Sequence, residues 1–294
     1  MINLLFGNFL VKTGALTAEQ LNRALETQKK VRVRLGLIAV TEKLMSPEQS
    51  EEVNRLQAVM DKRFGDIAIE KGYLSEEQVE RLLGLQGKQY LTFAQAVTDN
   101  GFMTLKEFEN AFNAYQRELG FTSTDMEALK SGDSDRIVPL FLPYGCEPKQ
   151  VEHILVAIRT LLRLIDSDAY IGKASWENSI PAEGIAYQSI TGEIKASLGI
   201  VGDVGAVLNL AGTFGKEEFE KLDQDSLDSV AEFINCINGL FATKISSELS
   251  VDMLPPFYNA DSVTVKSERI LKLPVYLNGR ELNILSVFNG EIDV

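Results

Sequence analysis

The first 116 residues repeat one pattern of apolar and polar positions four times. The repeats begin at residues 5, 34, 63 and 92, so the period is 29 residues. Each starts with a short apolar run, crosses a polar turn and continues with apolar residues at helical spacing. Self-similarity at a fixed period indicates repeated supersecondary units. The pattern predicts an all-α domain over residues 1–116, built from four helix-turn-helix repeats.

The second helix of each repeat begins with a capping box, in which Ser or Thr is followed three residues later by Gln or Glu. The four pairs are Thr17–Gln20, Ser46–Gln49, Ser75–Gln78 and Thr104–Glu107. Gly14, Gly72 and Gly101 stand where the first helix would end in a left-handed residue. One helical pair is too small to bury its apolar face, so we expect neighbouring repeats to pack on each other.

The remaining chain alternates between strand-like and helix-like segments. Residues 149–166 form an amphipathic helical pattern, and His153 falls off its apolar stripe, which predicts a solvated side chain. Further helices are expected over 205–212, 216–222 and 226–249, and strands over 169–176, 184–194, 195–202 and 262–288, with Asn278-Gly279 as a type I′ hairpin turn. Helices segregated from strands predict an α+β domain over 148–294, with a helix layer packed on an antiparallel sheet.

Residues 117–147 break the period, and we assign them to a linker that contains the domain boundary. Thr122 or Ser123 can begin a short capped helix within it. The apolar segment IVPLFL (137–142) is expected to dock on a domain surface.

The composition narrows the possible functions. A net charge of -13 argues against binding to a nucleic-acid polymer, whose affinity comes mostly from Lys and Arg on phosphates. Two distant cysteines and the absence of a signal sequence or a long apolar run indicate a cytoplasmic protein without membrane insertion. A single histidine excludes His-rich metal sites and disfavours a Ser-His-Asp hydrolase.

The helix predicted over 226–249 places four chemically informative residues on one face. At 100° per residue, Asp228, Glu232, Asn235 and Gly239 fall within about 60° of each other, opposite an apolar face. An ordinary solvated face is one explanation of this pattern. The other is close approach of a partner, because glycine within a helix costs about 1 kcal/mol relative to alanine.

The same residues carry a resemblance to the CheX/CheC response-regulator phosphatases. The segment DSVAEFINCING (228–239) fits their signature of Asp or Ser, then Glu, Asn and Gly after three, two and three intervening residues. The flanking segments 190–202, 251–265 and 269–277 resemble CheX strands, and one signature copy is found, as in CheX. The resemblance covers roughly residues 150–294.

This resemblance implies a hydrolase that acts on the phospho-aspartate of a CheY-like receiver. Glu232 would pair with the receiver's lysine, Asn235 would orient the attacking water, and Asp228 would be an auxiliary contact, with Gly239 as the structural member of the motif. The chain would need no cofactor of its own, because the receiver would supply Mg²⁺. Homodimers are expected by analogy with CheX.

The N-terminal repeats resemble the MshEN motif of type II secretion and pilus ATPases, which begins Arg-Leu-Gly and can bind cyclic-di-GMP. The second and third repeats match best, through Arg34 with Gly36 and Arg63 with Gly65. Leu5 and Thr92 replace the arginine in the other two repeats. The resemblance implies a nucleotide site at these four matching residues, while helical interaction modules without a ligand remain the alternative.

Two functions are therefore compatible with the sequence. The first is a receiver phosphatase, regulated through the repeats. The alternative is a non-catalytic CheX-like docking or dimerisation module within a cyclic-di-GMP effector. A pure scaffold has no evident use for Glu232 and Asn235, which favours the phosphatase.

Overall fold

The structure is a computed structural model, and it describes residues 2–60 and 62–294. It divides into a helical unit, Ile2–Asp133, and a C-terminal unit, Ser134–Val294. Among the described helices, none is both long and apolar enough to cross a membrane.

The helical unit contains the eight predicted repeat helices and one more. Their bounds are α1 Ile2–Lys12, α2 Ala18–Gln28, α3 Leu35–Thr41, α4 Pro47–Gln57, α5 Phe64–Glu70, α6 Glu76–Leu83, α7 Gln89–Asp99, α8 Leu105–Leu119 and α9 Ser123–Ser131. All four capping boxes form with both hydrogen bonds present. The prediction of an all-α repeat region is confirmed.

The turn inside each repeat contains one left-handed residue at the same position of the period. Gly14, Gly72 and Gly101 have φ of 70° to 73°, as the pattern predicts. In the second repeat this position is Lys43, with φ of 58°. A residue with a Cβ is strained in this region, so the second repeat carries a local cost that the other three avoid.

The first repeat packs against the fourth. The ring of Phe6 on α1 lies 5.3 Å from that of Phe108 and 5.1 Å from that of Phe112, both on α8. Helix α7 contacts α1, α2, α3, α8 and α9, and its side chains from Tyr90 to Val97 are mostly buried. Helix α7 therefore joins the fourth repeat to the first and second, while the third repeat packs on the second through α5 and α6.

Residues 117–147, assigned above to a linker, are largely helical. Helix α8 continues to Leu119, Thr122 caps α9 as predicted, and α10 spans Ser134–Phe141. The division between the units falls between Asp133 and Ser134. Ile137, Val138 and Phe141 are buried, since this apolar segment packs within the C-terminal unit.

The C-terminal unit combines helices with an eight-stranded antiparallel sheet. Its remaining elements are α11 Pro148–Leu164, β1 Tyr170–Ile171, β2 Ser175–Ala182, β3 Ile185–Gly192, β4 Ala196–Gly202, α12 Val204–Gly215, α13 Gln224–Ile245, β5 Val251–Met253, β6 Phe257–Asn259, β7 Val263–Leu277 and β8 Arg280–Phe288. The main strand order is β1-β7-β8-β4-β3-β5, with β2 also on β7 and β6 also on β3. The predicted α+β class is confirmed.

The sheet register follows from the local sequence. Asn278 and Gly279 both have positive φ and join β7 to β8 in the predicted two-residue hairpin. One cross-strand row runs through Gln188 on β3, Leu198 on β4 and Ser286 on β8. The two polar members of this row face the helices, because Gln188 bonds to α13 and Ser286 to α11.

The opposite face of the sheet has a core of its own. Its buried members are Ile180, Ile185, Val201, Val265, Ile270, Leu285 and Val287. The central strands β4 and β8 are therefore buried on both faces, and the helix layer occupies one of them.

Helix α13 has the apolar face that the sequence predicts. Its buried side chains include Val230, Phe233, Ile234, Ile237, Phe241 and Ile245, each 0% exposed. The helix packs on β3, β4, β5 and β6 and against α11 and α12.

The predicted helix over 216–222 is wrong. Lys216 is left-handed, with φ of 56°, and the Glu217 N–H bonds the Gly212 carbonyl at 3.2 Å, which ends α12. The chain then forms an irregular connection to Asp223, which caps α13.

The prediction of a solvated His153 is also wrong. The side chain is 0% exposed, its Nε2 lies 2.8 Å from Asn238 Oδ1, and its ring stacks on Phe241 at 4.3 Å. Burial lowers the pKa of His153 to about 4. The helical pattern missed this side chain because α11 is covered by α13 and α10 as well as by the sheet.

We predict that Lys43→Gly stabilises the helical unit by about 1 kcal/mol, because glycine adopts φ of 58° without strain from a Cβ. Gly72→Lys, at the equivalent position of the next repeat, should destabilise it by a similar amount. Urea unfolding followed by circular dichroism measures both. Unchanged midpoints in both variants would contradict the left-handed assignment.

We predict that His153 makes the C-terminal unit less stable in mild acid. Its pKa is about 4 in the folded protein and 6.5 in the unfolded chain. The unfolded chain therefore binds more protons between these two pH values, and the free energy of unfolding falls as the pH falls. Between pH 7 and pH 5, the wild type should lose about 2 kcal/mol more than His153→Leu. Equal losses, measured by chemical unfolding at both pH values, would show that His153 is not buried in its neutral form.

Candidate phosphatase site on helix α13

The candidate site begins with the cap of α13. The carboxylate of Asp223 accepts a hydrogen bond from the Ser226 N–H at 3.1 Å, and this bond lowers the pKa of Asp223. Ser226 Oγ in turn accepts from the Asp223 N–H at 2.9 Å. This capping box fixes where the helix starts and therefore which residues face outward.

Glu232 and Asn235 lie together at the surface, on the face opposite the apolar one. Glu232 is exposed and Asn235 is half-buried. Asn235 Nδ2 lies 3.4 Å from Glu232 Oε2. A carboxylate and a carboxamide are thus presented side by side on one helix.

A buried strand residue binds the carboxamide of Asn235 from the interior of the domain. Gln188 on β3 donates through Nε2 to Asn235 Oδ1 at 2.9 Å and to the Leu254 carbonyl at 2.9 Å. Asn238 donates through Nδ2 to Gln188 Oε1 at 2.9 Å. Sequence reasoning missed Gln188 and Asn238.

A signal for these two residues exists in the sequence, although it is weak. Gln188 occupies the same strand face as Ala186 and Ile190, both buried, so it is a polar residue at an inward position. Asn238 lies between the polar and apolar faces of α13. Neither position indicates a role until the helix is docked on the strand.

Acidic and apolar surfaces flank the two candidate residues. On one side, an open depression of about 730 Å³ reaches Asp228 and Glu232 and is lined largely by the connection between α12 and α13. Its acidic residues are Glu217, Glu218, Glu220, Asp223, Asp225, Asp228 and Glu232, and Lys221 is its only basic residue within the described chain. On the other side, Met253, Leu254 and Phe257 are exposed large apolar residues.

Gly239, the remaining motif residue, lies one turn beyond Asn235. A Cβ at Gly239 would meet no atom within 4 Å, so internal packing does not require glycine there. Asp228 is exposed on the same face. The helix thus brings all four motif residues to one side, while Gln188 contacts only Asn235 among them.

The proposed nucleotide residues lie in the helical unit. Arg34 and Arg63 are exposed and precede α3 and α5, and the guanidinium of Arg34 lies 3.1 Å from Asp99 Oδ1.

The two glycines of that proposed site are buried. A Cβ at Gly36 would lie 2.4 Å from Ser50 Oγ, and one at Gly65 would lie 3.0 Å from Val79 Cγ1. Close packing of the two helices of a repeat accounts for both glycines, so the nucleotide prediction now depends on the arginines.

Comparison with known families places the site within a recognised region. Residues 185–282 match the family model of the chemotaxis phosphatase CheX, which is about a third of the chain. The match includes Gln188, Glu232 and Asn235 and excludes His153. A search of curated proteins found no relative that matches this chain.

Solved structures similar to this chain include chemotaxis proteins. CheX from Vibrio vulnificus is 17% identical over 46% of this chain and 95% of its own, with a TM-score of 0.41. A CheC-like superfamily protein from Shewanella sp. PV-4 is 17% identical over 49% and 99%, with a TM-score of 0.43.

A third structure is a complex of CheX with CheY, BeF3 and Mg²⁺ from Borrelia burgdorferi. It is 18% identical over 47% of this chain and 95% of its own, with a TM-score of 0.37. The family match over 185–282 places a CheX-like domain in the C-terminal region of this chain.

Proposed function

We propose that the C-terminal unit dephosphorylates the phospho-aspartate of a CheY-like response-regulator receiver. The observation that carries this proposal is the pairing of exposed Glu232 with half-buried Asn235, 3.4 Å apart on a helix whose opposite face is fixed in the core. The match to the chemotaxis phosphatase CheX supports it at the level of the family.

The reaction needs positioning more than it needs a nucleophile from this chain. Water attacks the phosphorus of the acyl phosphate and the bond from phosphorus to the aspartate oxygen breaks. Inorganic phosphate is released, and the receiver keeps its aspartate as a free carboxylate. An acyl phosphate is already activated, so an oriented water and stabilised charge account for most of the possible acceleration. Mg²⁺ on the receiver neutralises phosphoryl charge.

Asn235 suits the role of orienting the water. Its carboxamide has hydrogens on Nδ2 for donation, and Oδ1 has a lone pair beyond the one used by Gln188. A neutral amide adds no negative charge beside the phosphoryl group. Glu232 supplies the negative charge that pairs with the receiver's lysine, and Asp228 is an auxiliary contact on the same face.

The surfaces around the pair suit a protein partner. Met253, Leu254 and Phe257 provide exposed apolar area on one side of Asn235. Acidic residues line the other side, next to Glu232. Complementary charge raises association rates and fixes orientation, so a receiver with a basic rim would be favoured.

We predict that Asn235→Ala lowers kcat at least about 100-fold on a phosphorylated receiver, because the water loses its hydrogen-bonding partner. Phosphate release is measured on a panel of CheY-like receivers phosphorylated with acetyl phosphate in the presence of Mg²⁺. Asn113→Ala is the matched control, since Asn113 is also a half-buried helical asparagine but lies in the helical unit. Equal release by wild type and Asn235→Ala on every receiver would refute the mechanism.

In the same assay, Glu232→Gln should act mainly on binding. Loss of the charge removes the pair with the receiver's lysine, so KM should rise about tenfold or more. Glu80→Gln, an exposed glutamate on α6, is its control. Unchanged KM and kcat in Glu232→Gln would remove Glu232 from the site.

The non-catalytic alternative gives a different result. A docking module would bind a receiver and leave its phosphate lifetime unchanged, in wild type as in Asn235→Ala. Binding without accelerated release would therefore replace the phosphatase by the docking module.

Regulation through the helical unit stays a separate prediction. If cyclic-di-GMP binds there, Arg34→Ala and Arg63→Ala should each abolish the heat that the wild type gives in titration calorimetry, because a guanidinium both pairs with phosphate and stacks on guanine. No heat from wild type at high micromolar ligand would contradict the prediction.

A further inference from the structure

A chain of buried polar side chains leads from the interior of the C-terminal unit to Asn235. Gln188 is 2% exposed, and Asn238 and His153 are 0% exposed. The contacts run from His153 to Asn238 at 2.8 Å, from Asn238 to Gln188 at 2.9 Å and from Gln188 to Asn235 at 2.9 Å. Glu232 ends the chain at the surface, 3.4 Å from Asn235.

Two backbone carbonyls fix the direction of every bond in this chain. Because carbonyls only accept, Gln188 must direct Nε2 at the Leu254 carbonyl, and Asn238 directs Nδ2 toward the Gln188 carbonyl at 3.4 Å. Gln188 Oε1 then accepts from Asn238, and Asn238 Oδ1 accepts from His153 Nε2–H. All donors point outward, toward the carboxylate of Glu232.

This direction decides how Asn235 is presented. Its Oδ1 faces inward, where it accepts from Gln188, so Nδ2 points toward Glu232 and the surface. Without that bond, the carboxamide could turn over and exchange its oxygen and nitrogen. We propose that Gln188 is a positioning residue that holds the Asn235 carboxamide in one orientation, and that Asn238 and His153 hold Gln188. Its catalytic consequence rests on the proposed phosphatase function.

The composition of the buried chain supports a role beyond packing. Apolar residues would fill the same positions at the helix–strand contact without any need for hydrogen-bond partners, and His153 Nδ1 has no partner among the described residues. A polar network that is directional and nearly satisfied fixes one arrangement of its members. Here the outermost member is the proposed catalytic amide.

The same glutamine connects Asn235 to the rim of the site. Its second acceptor, the Leu254 carbonyl, lies between β5, which ends at Met253, and β6, which begins at Phe257, and the side chains of all three residues are exposed. One side chain thus ties the catalytic amide to a surface that a receiver would touch.

The test uses two substitutions of Gln188 in the full chain. Gln188→Met keeps the volume and removes the donor. Gln188→Glu keeps the shape but places an acceptor against Asn235 Oδ1, so the carboxamide should turn over. Both should lower kcat about ten- to a hundredfold on the receiver that wild type dephosphorylates, with KM within twofold, since misplacement of a positioned group acts on the chemical step.

The matched control is Gln150→Met. Gln150 is also 2% exposed, and its amide donates to Ser286 Oγ at 3.2 Å, on the same face of the sheet but away from Asn235. It also removes a buried amide at the helix–sheet contact, but among the described residues Gln150 bonds only Ser286 whereas Gln188 bonds three residues, so its loss of stability should be smaller. Its kcat should equal that of wild type.

A second readout needs no substrate. In ¹⁵N NMR spectra, the Asn235 side-chain amide pair, assigned by its absence in Asn235→Asp, should shift in both Gln188 variants and not in Gln150→Met. An unchanged amide pair in the Gln188 variants overturns the proposal. The proposal is also overturned if the kcat of the Gln188 variants equals that of Gln150→Met. A wild type without phosphatase activity would count against the proposed function, and the amide pair alone would then decide whether Gln188 positions Asn235.

Discussion

Burial of the apolar face of α13 on the sheet is the constraint on which the site depends. Full burial of each large apolar side chain stabilises the fold by about 1.5–3 kcal/mol, and α13 buries Val230, Phe233, Ile234, Ile237, Phe241 and Ile245 completely. Turning the helix by one residue would expose part of this set and bury the charge of Glu232. The core therefore holds Glu232 and Asn235 at the surface, although neither contributes to it.

The contact between α13 and β3 is not wholly apolar. Gln188 and Asn238 face each other inside it, and His153 enters from α11. Leaving any one of these groups unpaired would cost about 1–3 kcal/mol, so the three side chains constrain each other. Apolar packing sets the position of the helix. The hydrogen bonds among His153, Asn238 and Gln188 set the orientation of the Asn235 carboxamide at its surface.

The sequence predicts much of the fold because its signals are local. Capping boxes, left-handed glycines and the Asn278-Gly279 turn depend on a few adjacent residues, and the structure contains all of them. The errors occur where distant elements decide the outcome. His153 lies off the stripe of its own helix, and it is buried because α13, α10 and the sheet all pack on α11.

The candidate site is likewise predictable only where its residues are close together in the sequence. The spacing of Glu232 and Asn235 within one helix reveals the pair, because helical geometry alone brings them together. Gln188 lies 47 residues from its partner Asn235, and no local pattern connects them. Gly36 and Gly65 show the reverse case. They match a nucleotide-binding motif in the sequence, but the close packing of neighbouring helices is sufficient to explain why both are glycine.

The most direct test of the central claim is a crystal structure of the full chain bound to a receiver carrying beryllofluoride and Mg²⁺. We expect α13 to lie over the receiver's active site, with Asn235 within hydrogen-bonding distance of the phosphoryl mimic or its adjacent water and Glu232 paired with the lysine. A receiver bound elsewhere, with Glu232 and Asn235 still facing solvent, would contradict it.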